Sequence, residues 1–380
     1  VCDPQSQLAR RLGGVPPKEH QTEWNAWTEQ QRQWQAEVLT KAQDAMCRFA
    51  ERAWRRPLTA AERTAIQTQI GQGTGQNQSL SNAMRFTLLR ILISPHFLYR
   101  MEIGDANTKS DATGVRALDD FELASRLSYF LWASIPDQPL VDAAQRGELS
   151  DPKYLAAHAH RMLKDPRIRR FSRELFGQWL GFYEFQEFDR PDEKRFPEFD
   201  GELRGQMFNE AMDFCTDLTA NDRDIRLLLN AEYAFLSRRL AEHYNVPLPP
   251  NADIWSKFER TGGNSPGLVT APRISLKGTN RRGVLGWGAI LTATSHPLRT
   301  SPVLRGNWIL DDLLGIPTPP PPNAVPELPS DEKNEHGLTV AQLLARHRSD
   351  KACSVCHDRI DPFGLALESF DPIGRFRQRD

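Results

Sequence analysis

The stretch Cys353-Ser354-Val355-Cys356-His357 constrains this chain more than any other part of the sequence. It has the C-x-x-C-H spacing that is typical of covalent attachment of a c-type haem. Two thiols three residues apart on one helical turn can both add to the vinyl groups along one haem edge. The histidine that follows can then give an imidazole nitrogen to the iron. We therefore predict one covalent haem c on Cys353 and Cys356, with His357 as an axial ligand.

Three other interpretations of the motif remain open. A structural zinc site would need about four Cys or His ligands, whereas the remaining cysteines, Cys2, Cys47 and Cys215, form no second C-x-x-C pair. A thioredoxin-like redox pair should follow a strand in a βαβ pattern, whereas this pair follows a stretch of helical character over residues 339–348. The third interpretation is a coincidence of spacing. Haem attachment accounts best for both the motif and its helical setting.

Length and composition limit the class of protein. The chain has 380 residues, which is long for one simple core and favours two or three domains. It is 39% hydrophobic and 26% charged with a formal net charge of −1, so nothing indicates binding to nucleic acid or to an anionic membrane surface. No apolar run approaches the length of a transmembrane segment. Since the chain begins at Val1 without Met, we interpret it as processed or as part of a longer chain, and the missing signal says little about location.

Apolar residues recur mostly at helical spacing, which predicts a mainly α, multi-helical fold with a loop-rich C-terminal cytochrome c-like haem domain. We predict an N-terminal helical domain over residues 1–104, a central helical domain over 105–244 and the loop-rich domain over 245–380. The boundaries follow from the polar stretch 104–114 and from the rise in Pro and Gly content after His243.

Periodicity and capping residues predict individual helices in the first two domains. Residues 1–35 are polar and are expected to form a loop that leads into an amphipathic helix over 34–54. The sequence from Thr59 to Glu62 is a capping box that should start the next helix. Asp200 should begin a long amphipathic helix that runs to about residue 219.

The C-terminal part, after His243, is richer in Pro and Gly and should contain more loops. Residues 245–280 should be loop-rich, with at most one short hairpin. Residues 281–295 are apolar and helical despite their glycines, whose small size suggests close approach to another helix or to a flat ligand. A helix is expected over 302–314, with Pro302 in its first turn. The Pro-rich stretch 316–329 should be an extended polyproline II strap.

Several basic residues near the motif are candidates for contacts with the haem. Arg299 and Arg305 could hold haem propionates, because a planar guanidinium matches a carboxylate bidentately; a surface or helix-cap arginine is the plainer alternative. As second ligand of the iron we expect a histidine rather than a methionine, with His347 first and His296 second. An open position would instead allow chemistry on peroxide or another small ligand.

Three acidic residues and one cysteine also need an interpretation. Asp361 and Asp371 are each followed by a proline and, two residues after it, by a glycine, which favours turn and cap chemistry over a metal role. Glu210 could be a buried acid, although a solvated helix face is the default. Cys215 is expected to be a small buried thiol.

Six stretches together resemble one known family. They are ERAWRRPLTAAE (51–62), ILISPHFLYRME (91–102), ELASRLSYFLWASIPD (122–137), RMLKDPR (161–167), the stretch 281–328 and HRSDKACSVCHDRIDPFGLALESFDPIGRFR (347–377). They resemble the planctomycete-type cytochrome c-like proteins, which are built from tandem domains of unknown function. The resemblance covers nearly the whole chain. It implies an exported, haem-carrying protein of the periplasm or the extracellular space, and it implies no substrate.

The same resemblance bears on two cysteines and on the size of the protein. Cys2 and Cys47 could pair in an oxidising compartment, and the resemblance places both at cysteine positions typical of the family. We therefore predict a Cys2–Cys47 disulfide. Relatives typically have more chain at both ends. Separately, the chain could belong to a larger assembly.

Three functions remain open. The first is electron transfer by an exported mono-haem cytochrome with an unidentified redox partner protein. The second is a haem oxidoreductase, peroxidase-like or acting on a polymer such as a polysaccharide. The third is a binding or assembly module in which the haem is mainly structural. The sequence holds no Gly-rich nucleotide loop, H-E-x-x-H or G-x-S-x-G element. We favour the first function with the second as the alternative, which leaves open whether the chain is an enzyme.

Overall fold

The fold is mainly helical, as predicted. The computed structural model describes residues 21–75, 79–102, 114–188, 191–249, 255, 268–318, 342, 344–345 and 351–378. The strands named within these ranges form one two-stranded sheet. No helix within the described ranges is both long enough and apolar enough to cross a membrane. The chain divides into two compact units, residues 1–129 with 134–155 and residues 130–133 with 156–380. The division into three domains stays a prediction.

Among the described residues of the first unit, helices account for the regular structure. They are α1 (Gln21–Trp54), α2 (Ala60–Gly75), α3 (Leu80–Leu92), α4 (Pro95–Leu98) and α6 (Gln138–Gln145), while α5 (Asp120–Trp132) and α7 (Pro152–Leu163) give residues to both units. Helices α1, α2 and α3 pack around a small apolar core that includes Cys47, Ala50, Ile66, Ile70 and Ile91. Cys2 lies outside the described residues, so the predicted Cys2–Cys47 disulfide stays a prediction.

Helix α1 begins well before the predicted residue. The loop expected up to residue 35 is wrong for the described residues 21–33, which are helical. Their side chains pair along the helix surface: Gln21 donates to Asn25 at 3.1 Å, and Glu29 accepts from Arg32 at 2.7 Å. Polar residues of good helix propensity, paired three or four apart, form a helix without an apolar stripe. Apolar periodicity therefore could not reveal this start.

The predicted capping box at the start of α2 is present and is reinforced by an arginine. Glu62 accepts the backbone N–H of Thr59 at 2.9 Å, and the Thr59 hydroxyl accepts the backbone N–H of Glu62 at 3.3 Å. Arg56 donates two further hydrogen bonds to the Glu62 carboxylate at 3.0 and 2.9 Å. The bonds from Arg56 are the largest cause that lowers the pKa of Glu62 to about 2.

We expect the variant Glu62→Gln to be less stable than the wild type at pH 7 and less sensitive to acid. The folded-state pKa of about 2 lies below the ordinary value of 4.5. The carboxylate therefore contributes stability above about pH 4.5 and loses it as the pH falls towards 2. Glutamine still suits a capping box, so the substitution removes mainly the charge. The measurement is the melting temperature, followed by circular dichroism, between pH 7 and pH 2.

The matched control for this experiment is Glu29→Gln. Glu29 pairs with Arg32 at 2.7 Å, but both side chains are exposed, and such surface pairs contribute about 0–1 kcal/mol. If Glu62→Gln and Glu29→Gln have the same melting temperature and the same acid dependence, the Arg56–Glu62 pair does not contribute as proposed.

The second unit is built around one long buried helix, α9. Its elements are a 3₁₀ turn (Pro166–Ile168), α8 (Arg169–Phe171), a π turn (Ser172–Gly177), a 3₁₀ turn (Phe185–Glu187), α9 (Gly201–Ala220), α10 (Leu227–Asn230), β1 (Tyr233–Phe235), α11 (Arg238–His243), β2 (Arg273–Ser275), a 3₁₀ turn (Val284–Gly286), α12 (Gly288–Ala293), α13 (Pro302–Trp308), a π turn (Ile309–Leu313) and α14 (Lys351–Leu365). Asp200 caps α9 as predicted, since its carboxylate accepts the backbone N–H of Leu203 at 2.8 Å. Most side chains of α9 are buried. Phe214 and Leu218 join Phe182 and Trp287 in the core of the unit.

Two expectations for the C-terminal part can be compared with the structure. Within the described residues of 245–280, β2 belongs to no local hairpin, since it pairs antiparallel with β1, with Ala234 opposite Ile274. The predicted helix over 281–295 is broken at Trp287, which is extended at φ −73° and ψ 129° between a 3₁₀ turn and α12. The close approach expected there is confirmed as packing, because a Cβ on Gly288 would lie 2.9 Å from the Met207 sulfur.

The helix predicted over 302–314 is present in part. Pro302 lies in the first turn of α13 as predicted, but the helix changes to a π turn at residue 309. Most of the predicted polyproline strap over 316–329 lies outside the described residues.

Candidate functional site

The C-x-x-C-H motif lies in the first half of α14. Positions 353, 356 and 357 are three and four residues apart on this helix, so their backbones share one side of it. Cys356 is half-buried, and the His357 side chain keeps 13% of its surface exposed. The motif therefore lies on a helix.

A buried carboxylate fixes the orientation of the His357 ring. Asp361 follows His357 by four residues, its side chain is completely buried, and its Oδ1 lies 2.9 Å from His357 Nδ1. A carboxylate can only accept a hydrogen bond, so Nδ1 carries the proton and Nε2 carries the lone pair. A histidine that ligates a metal is usually held by such a partner on its other nitrogen. These residues therefore fit an axial ligand of a haem iron.

The role assigned to Asp361 from the sequence is corrected by this contact. Asp371 does act as a turn residue, because its Oδ1 accepts the backbone N–H groups of Ile373 at 3.0 Å and Arg375 at 2.8 Å. Asp361, by contrast, lies within α14 and serves His357. The four-residue spacing between His357 and Asp361 was the available signal, since residues four apart meet on a helix face.

Helix α13 supports α14 through contacts that only glycine permits. A Cβ on Gly306 would overlap the carbonyl oxygen of Ile360, and a Cβ on Gly364 would overlap the carbonyl oxygen of Pro302. Each helix thus places a glycine against the backbone of the other. This close crossing flanks Asp361 on both sides along the chain and holds the Asp361 end of the pair in place.

Among the described residues, Arg305 of α13 donates most of the hydrogen bonds between α13 and the segment that follows α14. It is completely buried, and its guanidinium donates to the carbonyl oxygens of Leu367 at 2.7 Å, Phe370 at 2.8 Å and Asp371 at 3.1 Å. It also donates to the Ser295 hydroxyl at 3.1 Å. These partners give Arg305 a structural role in this unit, whereas contact with a haem propionate stays a prediction.

The other candidate residues lie in the turn between α12 and α13 or outside the described residues. Arg299 is buried and donates to the carbonyl oxygen of Thr300 at 2.9 Å. The backbone N–H of His296 donates to the carbonyl oxygen of Arg299 at 2.9 Å, which places the two residues in one turn. His347 lies outside the described residues. The propionate role of Arg299 and the iron-ligand roles of His296 and His347 stay predictions.

Glu210 is buried, whereas the default expectation from the sequence was a solvated helix face. It receives a hydrogen bond from the Tyr244 hydroxyl at 2.6 Å, and the Tyr244 oxygen accepts the backbone N–H of Gly288 at 2.8 Å. The Arg281 guanidinium lies 3.5 Å from the centre of the Tyr244 ring. Burial is the main cause that raises the pKa of Glu210 to about 7. The signal in the sequence was weak, because Glu210 sits among apolar and polar residues alike.

The prediction that Cys215 is a small buried thiol is confirmed. It is completely buried in α9, and burial raises the pKa of its thiol well above the ordinary value. Within the part of the chain that the structure describes, no three His, Cys, Asp or Glu residues are grouped so that they could hold a metal ion.

Three family models match successive parts of the chain. Residues 41–102 match PSD5, a protein of unknown function (DUF1595), residues 118–246 match PSD4 (DUF1592), and residues 281–380 match PSCyt3 (DUF1588). No curated protein and no solved structure matches the chain. The chain therefore contains domains of unknown function in tandem, as its resemblance to the family implied. Each of the three families is described without a function.

Proposed function

We propose that this chain, which carries PSD5, PSD4 and PSCyt3 domains in tandem, is a mono-haem c-type cytochrome that transfers electrons. The observation that carries the proposal is the C-x-x-C-H motif on a helix in which a buried carboxylate holds the histidine. Asp361 sets the tautomer of His357, which puts the lone pair on the nitrogen that faces away from the carboxylate. The family name PSCyt3 adds a hint of a cytochrome.

Each residue of the motif has a role in this proposal. Cys353 and Cys356 would hold the haem covalently and His357 would bind its iron, and the haem would supply one-electron chemistry. A second histidine would complete the ligand set, because an unchanged ligand set suits a carrier; His347 is the first candidate and His296 the second. The residues 245–380 would then be a cytochrome c-like domain.

The surroundings of the protein follow from the same proposal. Covalent haem proteins of this type are exported, so we place the chain in the periplasm or the extracellular space, where a Cys2–Cys47 disulfide can persist. Its electrons would come from or go to a partner protein, and Arg299 and Arg305 remain the candidates for contact with the haem propionates.

We expect the purified protein to keep its haem after denaturation and to have an intact mass higher by one haem. The double variant Cys353→Ser/Cys356→Ser should lose the covalent haem completely, because a serine hydroxyl forms no thioether. Cys215→Ala is the matched control, since it removes a buried thiol outside the motif and should keep the haem. Colour that moves entirely into acidified organic solvent, or a wild type that never takes up haem, would contradict the proposal.

One observation favours the alternative, a haem oxidoreductase that is peroxidase-like or acts on a polymer such as a polysaccharide. A cavity of about 460 Å³ lies beside α9 and α11 and is lined in part by Glu210, Arg238 and Trp255. An acid with a pKa of about 7 suits proton transfer at neutral pH. Rapid binding of carbon monoxide and turnover with peroxide would replace the carrier proposal with this one, whereas an inert six-coordinate iron would exclude it.

A further inference from the structure

We propose that Asp361 is a positioning residue that makes His357 a stronger donor to the iron and lowers the reduction potential of the haem. This inference rests on the proposed function, because it requires His357 to be an axial ligand. Its structural basis is one contact: Oδ1 of a completely buried carboxylate lies 2.9 Å from Nδ1 of the same imidazole.

The contact acts on the iron through the imidazole ring. When Nδ1–H donates to a carboxylate, electron density moves into the ring and Nε2 becomes more basic. A more basic ligand stabilises the oxidised, more positive iron over the reduced iron, which lowers the potential. Burial strengthens the effect, since little water competes for the hydrogen bond or screens the charge. Asp361 is fully buried, so this condition is met.

A purely structural role accounts poorly for a carboxylate at this position. Asp361 lies near the C-terminal end of α14, where the helix dipole disfavours a negative charge. Burial of a carboxylate also costs free energy unless a partner compensates for it. His357 is such a partner, and the crossing of Gly306 and Gly364 with the opposite backbones fixes the stretch of α14 that contains Asp361. The chain thus maintains a costly charge where it can act on the ligand.

The test is the midpoint potential of the haem-loaded protein, with Asp361→Asn as the variant. Asparagine has nearly the same shape and keeps an oxygen that can accept from Nδ1, but it removes the negative charge. We expect the stability of the oxidised iron relative to the reduced iron to fall at least tenfold, which is a positive shift of about 59 mV for a one-electron couple. The haem content of the wild type is measured first, because it tests the proposed function independently of the potential.

The matched control is Asp358→Asn. Asp358 is exposed and follows His357 directly, so the control removes the same charge from the same helix without removing a bond to the ring. Its potential should stay close to that of the wild type. An Asp361→Asn variant that binds haem with an unchanged potential would overturn the inference, and so would equal shifts in both variants. A wild type without haem would overturn the proposed function and this inference together.

A measurement on the wild type keeps the inference falsifiable if Asp361→Asn does not fold. The Nδ1 proton of His357 should give a resolved magnetic-resonance signal in the reduced protein and should exchange slowly with solvent, because it is held by a buried acceptor. Fast exchange of this proton would show that the hydrogen bond is absent and would overturn the inference.

Discussion

Replacement of Gly364 by alanine is expected to destabilise the second unit by at least about 3 kcal/mol, the upper end of the usual cost of overpacking. A Cβ at this position would overlap the carbonyl oxygen of Pro302, and both atoms belong to backbones that cannot rotate away. The two helices would have to separate, which would also disturb Asp361 and its bond to His357. The measurement is thermal and denaturant unfolding, with haem binding followed in parallel.

The chain offers a control of opposite sign. Gly205 lies inside α9, and a Cβ added there would meet no atom within 4 Å. Gly205→Ala should therefore stabilise the protein by about 0.5–1 kcal/mol, because alanine loses less chain entropy in a helix. Gly306→Ala, which meets the carbonyl oxygen of Ile360, should behave like Gly364→Ala. If Gly364→Ala is as stable as Gly205→Ala, the helices do not cross as closely as described.

Features set by a few neighbouring residues could be predicted from the sequence. The cap at Asp200 and the capping box from Thr59 to Glu62 depend on side chains that bond backbone groups three residues away. The C-x-x-C-H motif is equally local, because its spacing alone places positions 353 and 356 on one helical turn. Such signals need no knowledge of the rest of the fold.

Features that depend on distant partners could not be predicted in the same way. Strand β2 pairs with β1 across about forty residues, so neither strand carries the pairing in its own pattern. The burial of Glu210 depends on Tyr244 and Gly288, which come much later in the chain. The π turn after α13 is a local change in hydrogen bonding that apolar periodicity does not report.

Asp361 falls between these two classes. Its spacing from His357 was visible in the sequence, but the proline that follows it favoured a turn, and its burial requires α13 against α14. The sequence pattern thus made a contact between Asp361 and His357 possible, and the packing of α13 against α14 determines that it forms. The same reasoning applies to Arg305. Its position before the motif indicated a ligand for the haem, but in the structure it bonds mainly to backbone carbonyl oxygens, and also to the Ser295 hydroxyl and the Glu368 carboxylate.

Arg305→Met is expected to cost about 3–5 kcal/mol, the range typical when one partner of a buried charged network is removed. Methionine keeps much of the apolar stem but donates no hydrogen bonds. The carbonyl oxygens of Leu367, Phe370 and Asp371 would then lose a donor that lies 2.7 to 3.1 Å away, and buried polar groups without partners are costly. The melting temperature of the second unit, followed by circular dichroism, measures the loss.

Two comparisons decide what this loss means. Arg226→Met is the matched control, because Arg226 is highly exposed and pairs at the surface with Asp224, so its loss should change the melting temperature little. The second comparison repeats Arg305→Met in the Cys353→Ser/Cys356→Ser background, which lacks the covalent haem. An equal loss with and without haem is the result expected of a structural arginine that ties α13 to the segment after α14. A loss confined to the haem-loaded protein would instead assign Arg305 to a haem propionate.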